Sequence, residues 1–253
     1  MRPPHQRAEV AKLLASGMSD GAAAHASGIP RATVRDWRRG GVEREAPTPT
    51  CPRCGGAQHD PLALDRRAYA YLLGLYLGDG HVVATRRGVY RLRIYVDGRH
   101  PRLAQRVVET MQLVLPSSRA GLIRHHTDHM LVASQYAKCW PCLLPQHGEG
   151  VKHERPIILD GWQDGIVDEH PDQLVRGLLH SDGWRGTNRV VVNGKTYNYG
   201  RYQFSNRSDD IRGLFCAALD RLDIPWRRMN RWNISVARGS AVATLDAFVE
   251  PKD

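Results

Sequence analysis

The chain has 253 residues, with 36 Lys and Arg against 26 Asp and Glu, a formal net charge of +10 and a pI near 9.7. Its composition is that of a globular protein, no apolar run approaches the roughly 20 residues of a membrane span, and five cysteines are too few for a disulfide scaffold. The basic charge favours a polyanionic partner. Because no apolar segment follows the first five residues, we expect no signal peptide, no membrane contact and a cytoplasmic location.

The first 39 residues contain three short helical patterns. A helix is expected over residues 7–15, and Gly17 ends it. Ser19 is a suitable N-cap for a second helix over residues 20–26, and Pro30 lies at or near the first position of a third helix. This pattern predicts a small all-α domain over residues 1–45.

The segment ASGMSDGAAAHASGIPRATVRDWRRG, within these helices, resembles helix-turn-helix domains of the resolvase and homeodomain-like group. The resemblance implies that the third helix enters the major groove of DNA while Val34 and Trp37 pack inward. A helical bundle with an arginine-rich face is the alternative. The residues expected to contact DNA are Arg31, Thr33, Arg35, Arg38 and Arg39.

Residues 46–64 form a linker rich in proline and glycine that carries the knuckle CPRCGG. A second CxxC pair lies far along the chain, and four thiolates could form a tetrahedral structural zinc site. The alternatives are that two reduced pairs remain free or that His59, His147 or His153 replaces a thiolate. We expect Cys216 to be a core residue. The four candidate zinc ligands are Cys51, Cys54, Cys139 and Cys142.

An internal repeat organises residues 65–253. LLGLYLGDGHV, starting at Leu72, and VRGLLHSDGWR, starting at Val175, share the same glycine, leucine and Asp-Gly positions. Each is followed by an alternating β-rich stretch, a polar turn, an amphipathic helix and a further strand region. The pattern predicts an α+β fold with two copies of helix, two strands, helix, two weaker strands and a closing helix, over residues 65–165 and 166–253.

The first helix of each copy carries small residues four positions apart. These are Gly74 and Gly78 in the first copy and Gly177 and Ser181 in the second. Small side chains on one helix face allow two backbones to approach closely. We therefore expect the two helices to pack together about a pseudo-twofold axis.

This packing would bring the helix ends together, with Gly80 and Gly183 as terminators. Asp79 and Asp182 would then lie side by side at the negative ends of both helices, where they repel each other. A divalent cation compensates for such a placement. Mg²⁺ prefers carboxylate and carbonyl oxygens, and paired metals can activate water for phosphodiester cleavage. The expected Mg²⁺ ligands are Asp79, Asp182, Gly78 and Ser181.

The two motifs LLGLYLGDG and VRGLLHSDG look like those of the LAGLIDADG homing endonucleases. The resemblance implies two pseudo-symmetric αββαββ(α) repeats that form a saddle, and a monomer that cleaves specific double-stranded DNA with Mg²⁺. Each aspartate would belong to one active site, and each site would cut one strand. By the same resemblance Lys152 and Lys252 are the active-site lysines, and Asn206 is the polar residue of the second copy.

The counterpart of Asn206 in the first copy falls near Asp97 or Gly98, which departs from the usual Gln or Asn and puts the symmetry of the two sites in doubt. Nicking could therefore exceed double-strand cleavage. Strand residues would face the DNA groove. The strand residues expected there are Arg91, Arg93, Arg185, Arg189, Arg201 and Gln203, with Arg86, Arg87, Lys195, Tyr197 and Tyr199 in the same set.

Three other functions stay open at the level of the sequence. A non-cleaving DNA-binding transcriptional regulator on the same scaffold is the first alternative, and the presence of both aspartates favours cleavage over it. An RNA maturase is the second, because the LAGLIDADG family includes intron-splicing members. A recombinase or transposase is the third, but it rests on the N-terminal helices alone.

Overall fold

The computed structural model describes residues 4–39, 51–55, 59–125 and 129–252. Residues 46–50 and 56–58 of the expected linker lie outside the described residues. The chain divides into two compact units, Met1–Pro49 and Thr50–Asp253. None of the helices in the described ranges has the length and apolar character that crossing a membrane requires.

The N-terminal unit consists of three helices, close to those expected: α1 (Pro4–Ala15), α2 (Asp20–Ser27) and α3 (Arg31–Arg38). The Ser19 hydroxyl accepts the Ala22 N–H and caps α2, as predicted. Val34 is fully buried, and Trp37 packs against the same small core, so both point inward as expected. This core also contains Val10, Ala23 and Ile29.

The second unit begins its regular structure with the first repeat. Its elements are α4 (Arg66–Asp79), β1 (Gly80–Ala84), β2 (Tyr90–Asp97), α5 (Pro101–Val114), β3 (Ala120–Arg124), β4 (Met130–Ala137) and the short α6 (Trp140–Leu143). The Asp65 carboxylate accepts the Ala68 N–H and fixes the start of α4.

The second repeat has the same order of elements, after a helix that the repeat pattern did not predict. This helix is α7 (Gly161–Glu169), and its start has a capping box between Asp160 and Gln163. The repeat continues with α8 (Pro171–Asp182), β5 (Gly183–Val192), β6 (Lys195–Ser205), α9 (Asp209–Arg221), β7 (Arg227–Arg228), β8 (Asn233–Val236) and α10 (Gly239–Asp246).

The two antiparallel sheets have the same topology. Their strand orders are β1-β2-β4-β3 and β5-β6-β8-β7, so each sheet has its first and third strands at the edges. Gly80 pairs with Ile94 in the first sheet, and Gly183 pairs with Phe204 in the second. The predicted α+β fold of two equivalent αββαββ(α) repeats is thereby confirmed.

Helices α4 and α8 pack directly against each other at their glycines. A Cβ atom added to Gly74 would lie 2.6 Å from the Leu174 carbonyl oxygen, and one added to Gly177 would lie 2.4 Å from the Tyr71 carbonyl oxygen. A Cβ atom on Gly78 would lie only 2.0 Å from Ser181 Oγ. The backbones therefore approach as closely as the small-residue spacing predicts.

The glycines that end the two helices do so for a different reason from the expected one. Gly80 has φ −87° and Gly183 has φ −97°, so neither adopts the left-handed conformation of a terminating glycine. Each leads directly into a strand instead. A Cβ atom would lie 2.4 Å from the Tyr76 Cα atom at Gly80 and 2.5 Å from the Leu179 carbonyl oxygen at Gly183, so close approach excludes a side chain.

One hydrophobic core joins both repeats. Helix α4 is buried from Tyr69 to Leu77, with apolar residues of α5, α8, α9 and both sheets around it. Cys216 on α9 belongs to this core, as predicted. The burial of α4 and α8 fixes their ends in space, and the candidate site lies at those ends.

Candidate active site

Asp79 and Asp182 are the last residues of α4 and α8. Loss of hydration raises the pKa of Asp79 to about 6, and the neighbouring Asp182 carboxylate adds to the rise. Burial also raises the pKa of Asp182, against the hydrogen bond from Asn206. The Asp79 side chain nevertheless remains exposed to solvent. The two carboxylates therefore carry an electrostatic cost at neutral pH that a bound cation would relieve.

The two lysines take equivalent positions in the two repeats. Lys152 Nζ donates to the carbonyl oxygens of Gly78 at 2.7 Å and Gly80 at 2.9 Å, on either side of Asp79, and to that of Tyr76 at 2.5 Å. Lys252 Nζ donates to the carbonyls of Ser181 at 3.3 Å and Gly183 at 2.8 Å, on either side of Asp182. Each ammonium group thus caps the negative end of one central helix.

Burial lowers the pKa of both lysines. The pKa of Lys152 falls to about 8, although Asp182 and Asp79 oppose the change. For Lys252 the direction is the same, with Asp79 and Asp182 again opposing it. Both carboxylates therefore influence both ammonium groups, and the four side chains form one electrostatic cluster.

The loop that carries Lys152 is held by Arg155. Its guanidinium donates to the backbone carbonyls of Gln146, Glu149 and Gly150, at distances from 2.8 to 3.3 Å. These bonds fold residues 146–155 into a compact loop around the turn Lys152–Glu154. The loop gives Lys152 a fixed route to the end of α4.

Asn206 follows the end of β6 and contacts Asp182 directly. Its Nδ2 donates to Asp182 Oδ2 at 2.6 Å, and its Oδ1 accepts the Ser208 N–H at 2.8 Å. Both residues line a cavity of about 680 Å³ together with Lys152, and we refer to it as the Lys152 cavity. It therefore combines a lysine of the first repeat with an aspartate and an amide of the second.

The equivalent cavity on the other side of the pseudo-twofold axis is different. This Lys252 cavity has a volume of about 560 Å³ and is lined by Lys252, His100 and Trp184, and by neither Asp79 nor Asp182 within the described chain. The sequence placed the counterpart of Asn206 near Asp97 or Gly98. The Asp97 carboxylate forms an ion pair with Arg99 at 2.6 Å. The residue before α5 that lines the cavity is His100.

His180, two residues before Asp182 on α8, has both ring nitrogens occupied. Nδ1 lies 2.7 Å from the Tyr71 hydroxyl and Nε2 lies 2.8 Å from the Glu250 carbonyl oxygen. Burial lowers the pKa of His180 to about 4. This side chain is a neutral structural element that joins α8 to the C-terminal segment, and it is not one of the predicted metal ligands.

The first sheet has one face on the core and one face turned away from it. Leu92, Ile94 and Val96 are buried, so the intervening Arg91 and Arg93 belong to the outer face. Arg91 donates to Ser134 Oγ at 2.9 Å and lies over the Tyr136 ring on the next strand. The alternation places both arginines where the sequence predicted a groove-facing surface.

In the second sheet the predicted set divides between the two faces. Arg201 and Gln203 alternate with the buried Tyr202 and Phe204 and belong to the outer face. Arg185 pairs with Tyr202 and therefore belongs to the opposite face, where its guanidinium binds Asp246 at 2.7 and 3.0 Å.

Arg189 has the same strand parity as Arg185. The prediction grouped Arg185 and Arg189 with Arg201 and Gln203. The alternation of side chains along β5 places Arg185 and Arg189 on the opposite face of the sheet. The outer-face residue of β5 at this level is Trp184, which pairs with Gln203 and is 53% exposed.

The candidate DNA contacts of the N-terminal unit lie on α3 and just beyond it. Arg31, Arg35 and Arg39 are exposed and Thr33 is half-buried. Arg38 is also exposed but forms an ion pair with Asp20 at 3.3 Å. Four arginines on eight residues of helix and its cap give this unit a strongly positive surface.

The cysteines gather in a set that overlaps the predicted one only in part. The Sγ atoms of Cys51, Cys54 and Cys142 and a ring nitrogen of His59 all lie within 4.8 Å of one another. Cys139, the fourth expected ligand, is outside this group and belongs to the hydrophobic core. His59, which the sequence offered as a rival ligand, takes its place. His147 and His153 are not members of the group.

Three residues that contribute to the site were not predicted from the sequence. Arg155 lies in the segment that supplied Lys152, but nothing in HERPI indicates three carbonyl acceptors. His100 is close to the expected polar position, and the offset arises because β2 continues two residues further past its pairing with Gly80 than β6 does past its pairing with Gly183. Trp184 follows the second Asp-Gly, and its pairing with Gln203 could have been read from strand alternation.

Neither a protein-family model nor a curated protein sequence matches this chain. Among solved structures, the fold is similar to those of LAGLIDADG homing endonucleases. I-DmoI in complex with DNA and Mn shares 13% identity over 74% of this chain and 98% of its own, with a TM-score of 0.48. The LAGLIDADG meganuclease I-AabMI bound to uncleaved DNA shares 10% identity over 71% of this chain and 82% of its own, with a TM-score of 0.45.

The full-length DUF199/WhiA structure from Thermatoga maritima shares 12% identity, covers 76% of this chain and 58% of its own, and has a TM-score of 0.44. At these identities the similarity concerns the fold alone.

Proposed function

We propose that the protein is a divalent-metal-dependent endonuclease that hydrolyses phosphodiester bonds in specific double-stranded DNA. The observation that carries the proposal is the paired arrangement of Asp79 and Asp182. Both end a helix of the glycine-packed pair, and a lysine holds the carbonyls on either side of each. Because one chain supplies both carboxylates, we propose that it acts as a monomer.

The residues at the helix ends fit a hard divalent cation such as Mg²⁺. Two carboxylates with raised pKa values offer oxygen ligands. The carbonyl oxygens of Gly78 and Ser181 each accept one hydrogen bond from a lysine and have a second lone pair that could bind a cation. When bound, such ions activate water and neutralise charge on the leaving oxygen. Asn206 contributes by holding the Asp182 carboxylate in one orientation, through its 2.6 Å hydrogen bond.

The lysines add positive charge where a scissile phosphate would lie. With a pKa near 8, Lys152 keeps its proton at neutral pH, and its backbone bonds limit its motion. A preorganised ammonium group stabilises negative charge that develops on the phosphate in the transition state. Its place in the Lys152 cavity, together with Asp182, supports this role.

The outer faces of the two sheets supply the proposed DNA surface. Arg91 and Arg93 lie on one face, Arg201 and Gln203 on the other, and Trp184 adds an exposed aromatic side chain. Arginine reads guanine and binds phosphate through its planar fork. We leave Arg185 out of this surface because Asp246 already binds its guanidinium.

The N-terminal unit is proposed as a second, helix-turn-helix DNA contact. Arg31, Arg35 and Arg39 are exposed on α3 and its cap, with Thr33 beside them. Substitution of Arg31 and Arg35 by Ala should weaken binding and reduce the dependence of log K on log salt by about 2, since each arginine releases roughly one counterion. An unchanged salt dependence would exclude these two arginines from the interface.

The activity is tested on a library of randomised duplexes with Mg²⁺, Ca²⁺ or EDTA. We expect the wild-type protein to select and cut a defined site in Mg²⁺, and the Asp79→Asn, Asp182→Asn double variant to bind that site without cutting it. Specific binding without strand scission in any metal would replace the endonuclease by a DNA-binding regulator. Cleavage that persists in the folded double variant would exclude these carboxylates from the reaction.

A further inference from the structure

A cluster of three cysteines and one histidine lies apart from the candidate active site. Cys51 and Cys54 belong to a turn within the predicted linker, and His59 lies five residues after Cys54. Cys142 comes from α6, which closes the first repeat. Two segments more than 80 residues apart in sequence therefore supply the four side chains.

The four ligand atoms lie at nearly the spacing that a tetrahedral ion requires. They all lie within 4.8 Å of one another. Zn–S bonds of about 2.3 Å in a tetrahedron place two sulfur atoms about 3.8 Å apart, so a shift of about 1 Å or less would complete the shell. Three thiolates and one imidazole form one of the standard ligand sets of structural zinc sites.

The backbone of the first turn supports a thiolate at Cys51. Backbone N–H groups of Cys54 and Arg53 donate to the Cys51 sulfur. The Cys51 carbonyl accepts the Gly55 N–H at 2.8 Å, and Gly55 closes the turn with φ +62°. Hydrogen bonds to ligand atoms of this kind orient them before a metal binds.

The two cysteines of the second CxxC pair, Cys139 at the N-cap of α6 and Cys142 within the helix, have different surroundings. Cys139 belongs to the hydrophobic core with Trp140 and Leu143. Cys142 is also buried, but it contributes its sulfur to the group with Cys51 and Cys54. The CxxC spacing alone would assign both to a metal, so the fold separates a ligand from a core residue within one motif.

We propose that Cys51, Cys54, His59 and Cys142 bind one structural Zn²⁺ ion that joins the turn of residues 51–54 and the His59 side chain to helix α6. The ion fixes Cys51, Cys54 and His59 of the predicted linker against the first repeat. It also anchors α6, whose chain continues into the loop 146–155 that carries Lys152 and Arg155. The site is independent of the Asp79 and Asp182 pair and of DNA cleavage.

Metal analysis of the reduced, full-length protein tests the site. We expect one zinc ion per chain by mass spectrometry of the metal, and X-ray absorption at the zinc edge should give three sulfur neighbours and one nitrogen neighbour. The Cys142→Ser and His59→Ala variants should lose the zinc. Cys139→Ser, the matched control in the same motif, should retain it. The Asp79→Asn, Asp182→Asn variant should retain it as well, which separates this test from that of the endonuclease.

A second measurement uses the wild-type protein, so it tests the site even if the variants fail to fold. Cobalt exchanged into the wild-type protein should give the strong visible bands of a tetrahedral ion and a thiolate charge-transfer band, and chelation should lower Tm by about 5 °C or more. Four sulfur neighbours, or loss of zinc in Cys139→Ser with retention in His59→Ala, would overturn the ligand set. A wild-type protein without zinc that gives no tetrahedral cobalt spectrum would overturn the site itself.

Discussion

The Lys152 and Lys252 cavities occupy equivalent places in the two repeats, yet they differ in content. What the repeats share is backbone geometry, since each lysine binds the carbonyls on either side of an aspartate. What differs is the side chains around it. The Lys152 cavity contains Asp182 and Asn206, whereas His100 and Trp184 line the Lys252 cavity. Close packing of two helices fixes the first feature, and the different residues that follow β2 and β6 contribute to the second.

The comparison teaches that the two half-sites are equivalent as a scaffold and unequal as chemical environments. Lys152 makes three backbone bonds and Lys252 makes two. Asp182 has a hydrogen bond from Asn206, while no side chain in the described ranges donates to Asp79. We therefore expect one DNA strand to be cut faster than the other, so that nicked product accumulates.

The helix contact shared by both halves gives the largest expected effect. Gly177→Ala puts a Cβ atom 2.4 Å from the Tyr71 carbonyl oxygen, and we expect it to lower the free energy of unfolding by about 3 kcal/mol. The matched control is Gly213→Ala on α9, where a Cβ atom meets nothing within 4 Å. The control should gain about 0.5–1 kcal/mol from helix propensity. Urea unfolding measures both, and equal stabilities would mean that the helices do not meet at Gly177.

The lysines give the next largest effect. Lys152→Met removes a charge beside the proposed scissile phosphate and should slow cutting of one strand by about 100-fold, which corresponds to about 2.7 kcal/mol. Lys252→Met should slow the other strand. Lys138→Met, an exposed residue after β4, is the control and should cut both strands normally. Gels with each strand labelled separately measure the rates. Wild-type rates in both active-site variants would show that neither lysine takes part in cleavage.

Asn206→Ala tests the side-chain difference between the halves. Loss of the 2.6 Å hydrogen bond should raise the pKa of Asp182 further and loosen its carboxylate. We expect cutting at the Lys152 cavity to slow by about tenfold, or about 1.4 kcal/mol, with little effect on the other strand. Asn198→Ala on the exposed part of β6 is the control. Equal slowing of both strands would show that the two cavities act as one site.

The smallest expected effect is a gain in stability when a carboxylate is removed. In the metal-free protein the pKa of Asp79 is about 6, above its unfolded value of 3.8. The folded state therefore loses stability as pH rises through this window, and the loss is complete above the folded pKa. Since the side chain is exposed, we expect only about 1 kcal/mol from Asp79→Asn at pH 7.5 and almost none at pH 4.

Thermal unfolding at the two pH values measures this gain, and Asp164→Asn on the exposed side of α7 is the control. A loss of stability in Asp79→Asn at pH 7.5 would contradict the electrostatic cost assigned to the pair. A gain of equal size in the control would assign it to general surface charge.

The sequence predicted most of the scaffold because a repeat is visible in local pattern. Gly74 and Gly177 indicated the helix contact, and the strand and helix order after each Asp-Gly was confirmed by two sheets of the same topology. The capping box of α7 was also present in the sequence, but this helix has no counterpart before α4, so the repeat pattern does not predict it.

The site was less predictable because its details depend on contacts between distant segments. The spacing of 100 residues suggested equivalent places for Lys152 and Lys252, whereas their backbone partners required the folded loops. Cys139 and Cys142 are indistinguishable in sequence, and only the direction of α6 separates them. Arg185 could have been placed correctly by alternation, since Tyr202 opposite it is buried.

The most direct test of the paired carboxylates is a pH titration of the Asp79 carboxyl carbon by NMR, in the metal-free protein and with Mg²⁺. We predict a midpoint near pH 6 without metal, a lower midpoint in the Asp182→Asn variant, and a further fall when Mg²⁺ is added. An ordinary midpoint near 3.8, unmoved by Mg²⁺ and by Asp182→Asn, would contradict the claim that these two helix ends form a cation site.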